Sequence, residues 1–288
     1  MMDEPRTVAE SHSYRGVSSF ERIGMRLGRA AGWGVLRNPL RNAYYWLLFL
    51  LTGGRGLRCI LPNGEVVRLL PRFRYATWNP FEYAAFREVL RDGDVAIDIG
   101  ANVGVYALLF GQWVGPRGRV YAFEPAAGAR KGLTRHIALN ALRDVIVTRP
   151  EAITGKDGST RFSGDDANGA NRVITASEHP DAPTDVISVP AITLDRFCAE
   201  QGIRPALLKI DVEGAELDVL RGARETLRKG RGRLAVFVEL HPDVWPVIGV
   251  SREAIESELD FQELRAVPLH DAGDPWTTNG ECVRLVAR

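Results

Sequence analysis

Val95-Ala-Ile-Asp-Ile-Gly-Ala-Asn-Val-Gly104 decides how this chain folds. Val95 to Ile99 reads as a short buried strand, and the apolar run from Val105 to about Trp113 reads as a helix. Between them, Gly100 allows a tight turn and Gly104 lets the following helix pack close to the strand. Asn102 can adopt a positive φ, at some cost relative to glycine. Strand, glycine turn and helix make one unit of an open α/β sheet, which binds ligands outside the carboxyl ends of its strands where the strand order reverses.

The same alternation runs on toward the C-terminus. Arg119–Phe123, Val145–Thr148, Leu207–Ile210 and Leu234–Val238 read as strands. Residues 126 to about 142, 215 to about 229 and 252 to about 264 read as helices. Short, apolar, β-branched strands between helices predict a doubly wound, Rossmann-like, mostly parallel α/β sheet covered on both faces. Ala266–Leu269 and Cys282–Val286 predict a closing antiparallel hairpin. Residues 152–195 do not alternate. Rich in Gly, Asp, Ser and Asn, they read as short strands around a long loop, where substrate-specific structure is expected.

Upstream, residues 56–61 and 65–70 flank Pro62-Asn-Gly64 and predict a hairpin, and Pro80 opens a helix to about Arg91. Residues 1–16 are polar, and 17 to about 52 read as a helical extension that turns basic through Arg22, Arg26, Arg29, Arg37 and Arg41. Its apolar run, Tyr44–Leu51, is far short of the roughly 20 residues that span a bilayer. It reads as a helix packed on the main domain or a partner subunit, with peripheral membrane contact through residues 37–52 as the second reading. The division expected is therefore an extension over 1–55 and a catalytic domain over 56–288.

Composition narrows the function classes. With 37 basic and 36 acidic residues, the formal charge of +1 argues against a protein built to grip nucleic acid. Cys59, Cys198 and Cys282 are widely separated and form no CxxC pair, so they read as buried thiols in a reduced protein. With no secretory signal read at the N-terminus, the expected compartment is the cytoplasm. A homo-oligomer is left open.

The turn also selects its ligand. There is no G-x-G-x-x-G, because Asn102 stands where the second glycine would be, and a dinucleotide pyrophosphate needs that close backbone approach. Asp98 would sit badly beside a phosphate; it suits a cofactor with a cationic amino acid part. Glu124 ends the next strand, 26 residues after Asp98, where it can accept two ribose hydroxyl hydrogen bonds.

Asp98-Ile-Gly-Ala-Asn-Val-Gly104, Phe123-Glu-Pro125 and Lys209-Ile-Asp-Val-Glu-Gly-Ala-Glu216 together resemble the FkbM-type methyltransferases, over roughly residues 56–245. Thr193-Leu-Asp195 fits the same pattern. The resemblance implies the class I methyltransferase type of sheet, S-adenosylmethionine as cofactor, and usually O-methylation of a sugar or secondary metabolite. By it, Asp98, Gly100, Ala101, Asn102 and Gly104 line the methionine end, and Glu124 and Pro125 the ribose. Asn140, Glu151 and Ala152 fall near the adenine.

Methylating an alkyl hydroxyl calls for a base, worth about 10²–10⁴-fold, or for a metal. The candidates are Lys209, Asp211 and Glu213 after one strand and Glu239 and His241 after the next. Glu216 reads first as a helix-first-turn acid favoured by the dipole. A charged Lys209 inside an apolar strand requires an ion pair with Asp211 or Glu239. Asp211, Glu239 or His241 can serve as base; alternatively Asp211 and Glu239 hold Mg²⁺ as a Lewis acid. No Asn/Asp-Pro-Pro-Tyr/Phe run follows the fourth strand and there is no Pro-Cys pair, which favours oxygen over base nitrogen or carbon as the acceptor atom. Two alternatives stay open: an NAD(P)-dependent oxidoreductase or epimerase, and a non-catalytic cofactor-binding scaffold.

Overall fold

The computed structural model describes residues 34–61, 63–163, 172–174, 186–270 and 274–288. Helix α1 (Gly34–Leu51) leads into an antiparallel hairpin of β1 (Leu57–Ile60) and β2 (Val66–Leu69), with Leu57 opposite Leu69 and Ile60 opposite Val66. The extension expected over residues 17–33, and Pro62 of the hairpin turn, lie outside the described residues. Helix α2 (Pro80–Val89) starts where the Asn79 side chain accepts from Phe81 and Glu82 N–H, with Pro80 at the first helical position.

The alternation then follows the expected order: β3 (Val95–Ile99), α3 (Val105–Val114), β4 (Arg119–Phe123), α4 (Ala127–Leu139) and β5 (Ile146–Arg149). A second, smaller sheet is formed by β6 (Ala152–Ile153), β7 (Gly158–Ser163), β8 (Arg172–Ile174) and β9 (Val186–Ile192), ordered β6-β9-β7-β8. Much of the long loop expected here lies outside the described residues. After α5 (Leu194–Gln201) come β10 (Leu207–Ile210), α6 (Glu216–Arg221), α7 (Arg224–Gly230), β11 (Ala235–Leu240), α8 (Arg252–Phe261), β12 (Leu264–Pro268) and β13 (Glu281–Ala287).

The main sheet runs β5-β4-β3-β10-β11-β13-β12. β13 pairs antiparallel with β11 and with β12, the closing hairpin read from the sequence. β5, β4, β3, β10 and β11 are mutually parallel, as expected for the class I methyltransferase type. The chain winds outward from β3 through β4 and β5, then crosses back to β10. The order therefore reverses between β3 and β10, and a crevice opens there.

Side chains alternate across the pleat, so each strand feeds two cores. Ala96, Leu207 and Phe237 pack under α2, α3 and α4. Ile97, Ile99, Leu208, Ile210, Val236 and Val238 pack against α5 to α8. By the same alternation Asp98, Lys209 and Glu239 lie on the first of these faces, two residues beyond Ala96, Leu207 and Phe237. The charged positions of three adjacent strands thus collect under α2 and α3.

One helix departs from expectation. Residues 215–229 are not continuous, because the chain breaks at Gly222-Ala223 between α6 and α7. A Cβ on Gly222 would lie 2.1 Å from the Thr154 carbonyl oxygen, so the end of β6 approaches too closely for any side chain. Asp195 bridges the break: its backbone N–H donates to Gly222 O, and its carboxylate accepts from Glu225 and Thr226 N–H, 2.9 and 2.6 Å away. Asp195→Ala removes both acceptors from the start of α7. We expect a loss of about 1–2 kcal/mol, read as a lower urea midpoint at unchanged slope.

Candidate active site

At the end of β3 the backbone turns through Gly100 at φ +81°, and a Cβ there would lie 1.7 Å from the Asp211 carbonyl oxygen. Position 100 must be glycine for β3 and β10 to come together. Asn102 adopts φ +47°. Gly104 begins α3 at φ +87°, but a Cβ on it would meet Leu133 Cδ1 of α4 at 2.3 Å. The close packing that the sequence suggested against its own strand is instead packing of the turn against α4.

Asp98 and Glu124 are both buried. Glu124 accepts from Asn102 N–H and Ala126 N–H, each at 2.8 Å. Burial lifts its carboxyl to about 7 against the pull of those two donors. Asp98 is pushed up to about 6 by burial, with Lys209 working against the rise. Asp98 Oδ1 and Asn102 Oδ1 are buried without a hydrogen-bond partner among the described residues. A buried acceptor left unpaired is costly, and here it is relieved by any donor entering the crevice. Ile99, Phe123, Glu124, Pro125, Glu151, Ala152 and Ile153 line the adjoining pocket, joined by Phe162, Arg172 and Val173 of the second sheet.

Ala101 is buried, and its N–H donates to Phe123 O. Asn140 is elsewhere. Its side chain accepts from Arg68 N–H and donates to Arg68 O and His136 O, each at 2.8 Å, tying α4 to β2. The adenine assignment for Asn140 is therefore corrected, since all of these bonds hold its amide away from the pocket.

Beside Asp98 across the β3–β10 register stands Lys209. Its ammonium lies 2.9 Å from Asp211 Oδ2 and 5.2 Å from the Tyr106 ring centroid. Burial disfavours the charged lysine, but Asp211, Asp98, Glu239 and Glu82 outweigh it and hold the ammonium ionised well above its ordinary range. His241 Nε2 is 3.7–3.8 Å from Asp211, Glu213 and Glu239. Asp211, Glu239 and His241 each offer a ligand atom within 4.8 Å of the others. Burial and Asp211 raise Glu239 to about 8.

Glu216 stands in the first turn of α6, as read from the sequence, and is fully buried. Its Oε1 accepts from Gly214 N–H and bonds His241 Nδ1 at 2.7 Å, and its Oε2 accepts from Trp245 Nε1 at 2.8 Å. Burial alone would lower His241; the Glu216 bond and the charges of Glu216, Glu213 and Asp211 instead carry it to about 9.

Residues 98–267 match the methyltransferase FkbM domain. The chain belongs to the FkbM methyltransferase family. It is 30% identical over 162 residues to the 31-O-demethyl-FK506 methyltransferase FkbM of Streptomyces tacrolimicus, covering 47% of this chain and 62% of that one. It is 26% identical over 162 residues to the hexuronic acid methyltransferase AglP of Haloferax volcanii, covering 55% and 61%. It is 30% identical over 151 residues to the 2-O-methyltransferase NoeI of Sinorhizobium fredii, covering 48% and 60%. The chain thus spans about three fifths of the length of these relatives. Among solved structures, the FkbM methyltransferase of Methylobacillus flagellatus KT superposes with a TM-score of 0.43 at 16% identity, over 75% of this chain and 52% of that one.

The FkbM-family core here brings Lys209, Asp211, Glu213, Glu239 and His241 together at one end of the crevice. Two neighbours escaped the sequence reading. Glu82, on α2, is buried with Oε2 unpartnered among the described residues, and burial raises its carboxyl. Tyr106, on α3, donates to Glu82 and accepts from Asn79 N–H. An acid at the third helical position looks like a dipole partner, and only the fold brings it to Lys209.

The Glu216–His241 pair has a testable pH signature. Because the imidazole is raised from 6.5 to about 9, the stability it contributes is fully present below 6.5 and lost as pH rises through about 9. We expect the His241 imidazole resonances to titrate near 9 and to move toward the ordinary range in Glu216→Gln. That variant should lose a few kcal/mol of stability at pH 6 and less at pH 10.

Proposed function

We propose that this chain is an S-adenosylmethionine-dependent O-methyltransferase acting on a hydroxyl of a sugar, a glycan or a secondary metabolite. The carrying observation is the buried, unpartnered Asp98 Oδ1 beside a Glu124 carboxylate presented on two backbone N–H groups. An ammonium and a vicinal diol are what these two acceptors suit. The apolar walls from Phe123, Ala152, Ile153 and Phe162 suit a purine ring. The relatives named for methylating a hexuronic acid, a 2-O position and 31-O-demethyl-FK506 support oxygen in the acceptor.

S-adenosylmethionine, when bound, supplies an electrophilic methyl group on a sulfonium. The protein's share is alignment and proton removal. Asp98 and Glu124 fix the donor at the end of β3 and β4. With the cofactor held by Asp98 and Glu124, its methyl would pass to an acceptor oxygen and the carbon–sulfur electron pair would stay on sulfur. The protein's residues would then have only the hydroxyl proton to move. The hydroxyl proton goes to His241 Nε2, once that nitrogen has given its own proton to solvent, while Glu216 holds Nδ1 and fixes the ring. Lys209 holds the Asp211 side chain in place through its 2.9 Å ion pair.

Calorimetric titration with S-adenosylmethionine tests the reading. We expect Asp98→Ala to weaken binding by roughly tenfold to a hundredfold, and wild-type affinity to fall as pH drops through about 7 and then about 6, where Glu124 and Asp98 take up protons. Affinity unchanged in Asp98→Ala would reject it.

Divalent-cation activation is the second reading, favoured by the convergence of Asp211, Glu239 and His241. Lys209 competes for Asp211, and metal binding needs a neutral imidazole nitrogen. Heat of Mg²⁺ binding to the full chain that disappears in Asp211→Asn selects this reading; no heat in the wild type selects the proton-transfer route.

A further inference from the structure

Helix α1 is seated by its aromatic side. The Arg74 guanidinium lies 5.9 and 5.0 Å from the ring centroids of Tyr44 and Tyr45, and 4.4 Å from Tyr75. Tyr44, Tyr45, Leu48 and Phe49 are half-buried. The outer side is apolar too. Trp46, Leu47, Leu50 and Leu51 are 64%, 51%, 48% and 74% exposed. At helical spacing these four form a stripe together with exposed Ala43. From Asn42 to Leu51 there is no charged residue, so the exposed stripe cannot be solvated by its own ion pairs. An apolar face of this kind marks a contact surface.

Charge identifies the contact. Between Glu10 and Glu65 the chain carries eight arginines, no lysine and one acid, Glu21, although its overall charge is +1. The basic excess is confined to the segment that bears the stripe, and the remainder is net acidic. Arg41 and Arg55 flank the stripe and are exposed. A second copy of this chain would set one basic collar against another, and so would residues 11–33, with Arg15, Arg22, Arg26 and Arg29 against Glu21. An anionic lipid surface satisfies both features at once: acyl chains take the leucines, the interface takes Trp46, and headgroups take the arginines. Among the described residues no helix is long and apolar enough to cross a membrane, so α1 would lie in the surface plane.

We propose that α1 docks the protein onto an anionic membrane surface through Trp46, Leu47, Leu50 and Leu51, with Arg41 and Arg55 on the headgroups. This goes beyond the methyl-transfer reading and does not depend on it.

The test is flotation of the full chain with vesicles of equimolar phosphatidylcholine and phosphatidylglycerol, alongside phosphatidylcholine alone. We expect flotation with the anionic vesicles, reduced by high salt. Leu50→Glu should lower partitioning by roughly tenfold or more, with circular dichroism and S-adenosylmethionine binding unchanged. Arg41→Glu with Arg55→Glu should lower it at low salt while leaving the apolar stripe intact. Three results overturn the proposal: no flotation on anionic vesicles, flotation indifferent to Leu50→Glu, or light scattering that finds a dimer which Leu50→Glu converts to a monomer and which does not float.

Discussion

The Cβ that Gly100 lacks would fall on the Asp211 carbonyl oxygen, and much of the site follows from that contact. It lets the loops leaving β3 and β10 touch at the floor of the crevice where the strand order reverses. Asp98 precedes the contact on one strand and Asp211 follows on the other, so both acids share one crevice. A larger residue would part the two strand ends and separate the acids from Asp98. Parallel strands 4.7–4.9 Å apart in general fix the rest: Asp98, Lys209 and Glu239 stand on adjacent strands and the same face.

That face gathers negative charge around one cation. Asp98, Asp211, Glu239 and Glu82 all act on Lys209, and a buried lysine without them would lose its proton. In return Lys209 opposes the rise of the buried carboxyls of Asp98, Glu239 and Glu82. His241 is governed separately. Glu216 binds the far side of its ring inside the core, with Trp245 and Gly214 holding Glu216 in turn. The fold itself therefore fixes the orientation of the imidazole.

What the sequence could show follows local rules. Asp98, Gly100 and Glu124 were legible because a strand's end and a glycine turn are short-range patterns. Lys209 was legible as a charge in an apolar strand, and its Asp211 partner lies two residues on. Asn140 was not legible: its place is set by β2, 72 residues away. Glu216 was legible as a first-turn acid, but its partners His241 and Trp245, 25 and 29 residues away, were not. The break at Gly222 was hidden for the same reason, since Thr154 creates it from another sheet. The small sheet of β6 to β9 was read only as short strands, because without hydrophobic alternation its pairing is decided by Ala126 and Ala129 of α4 and its start, against which Ala152, Phe162 and Val189 pack.

These constraints also say where the lining of the crevice can vary. The β3–β10 contact and the buried charges leave little freedom in the main sheet, where a changed side chain disturbs both Lys209 and Asp98. Freedom lies in elements that border the crevice without building the sheet, β7 and β8 through Phe162, Arg172 and Val173; the segment from Arg74 to Glu82 ends beside Lys209. That segment is continuous with the seat of α1. Arg74 stacks on Tyr44 and Tyr45, Trp78 Nε1 donates to Val105 O, and Asn79 N–H donates to the Tyr106 hydroxyl beside Glu82. A molecule held at α1 is thus one short, hydrogen-bonded loop from the acids around Lys209.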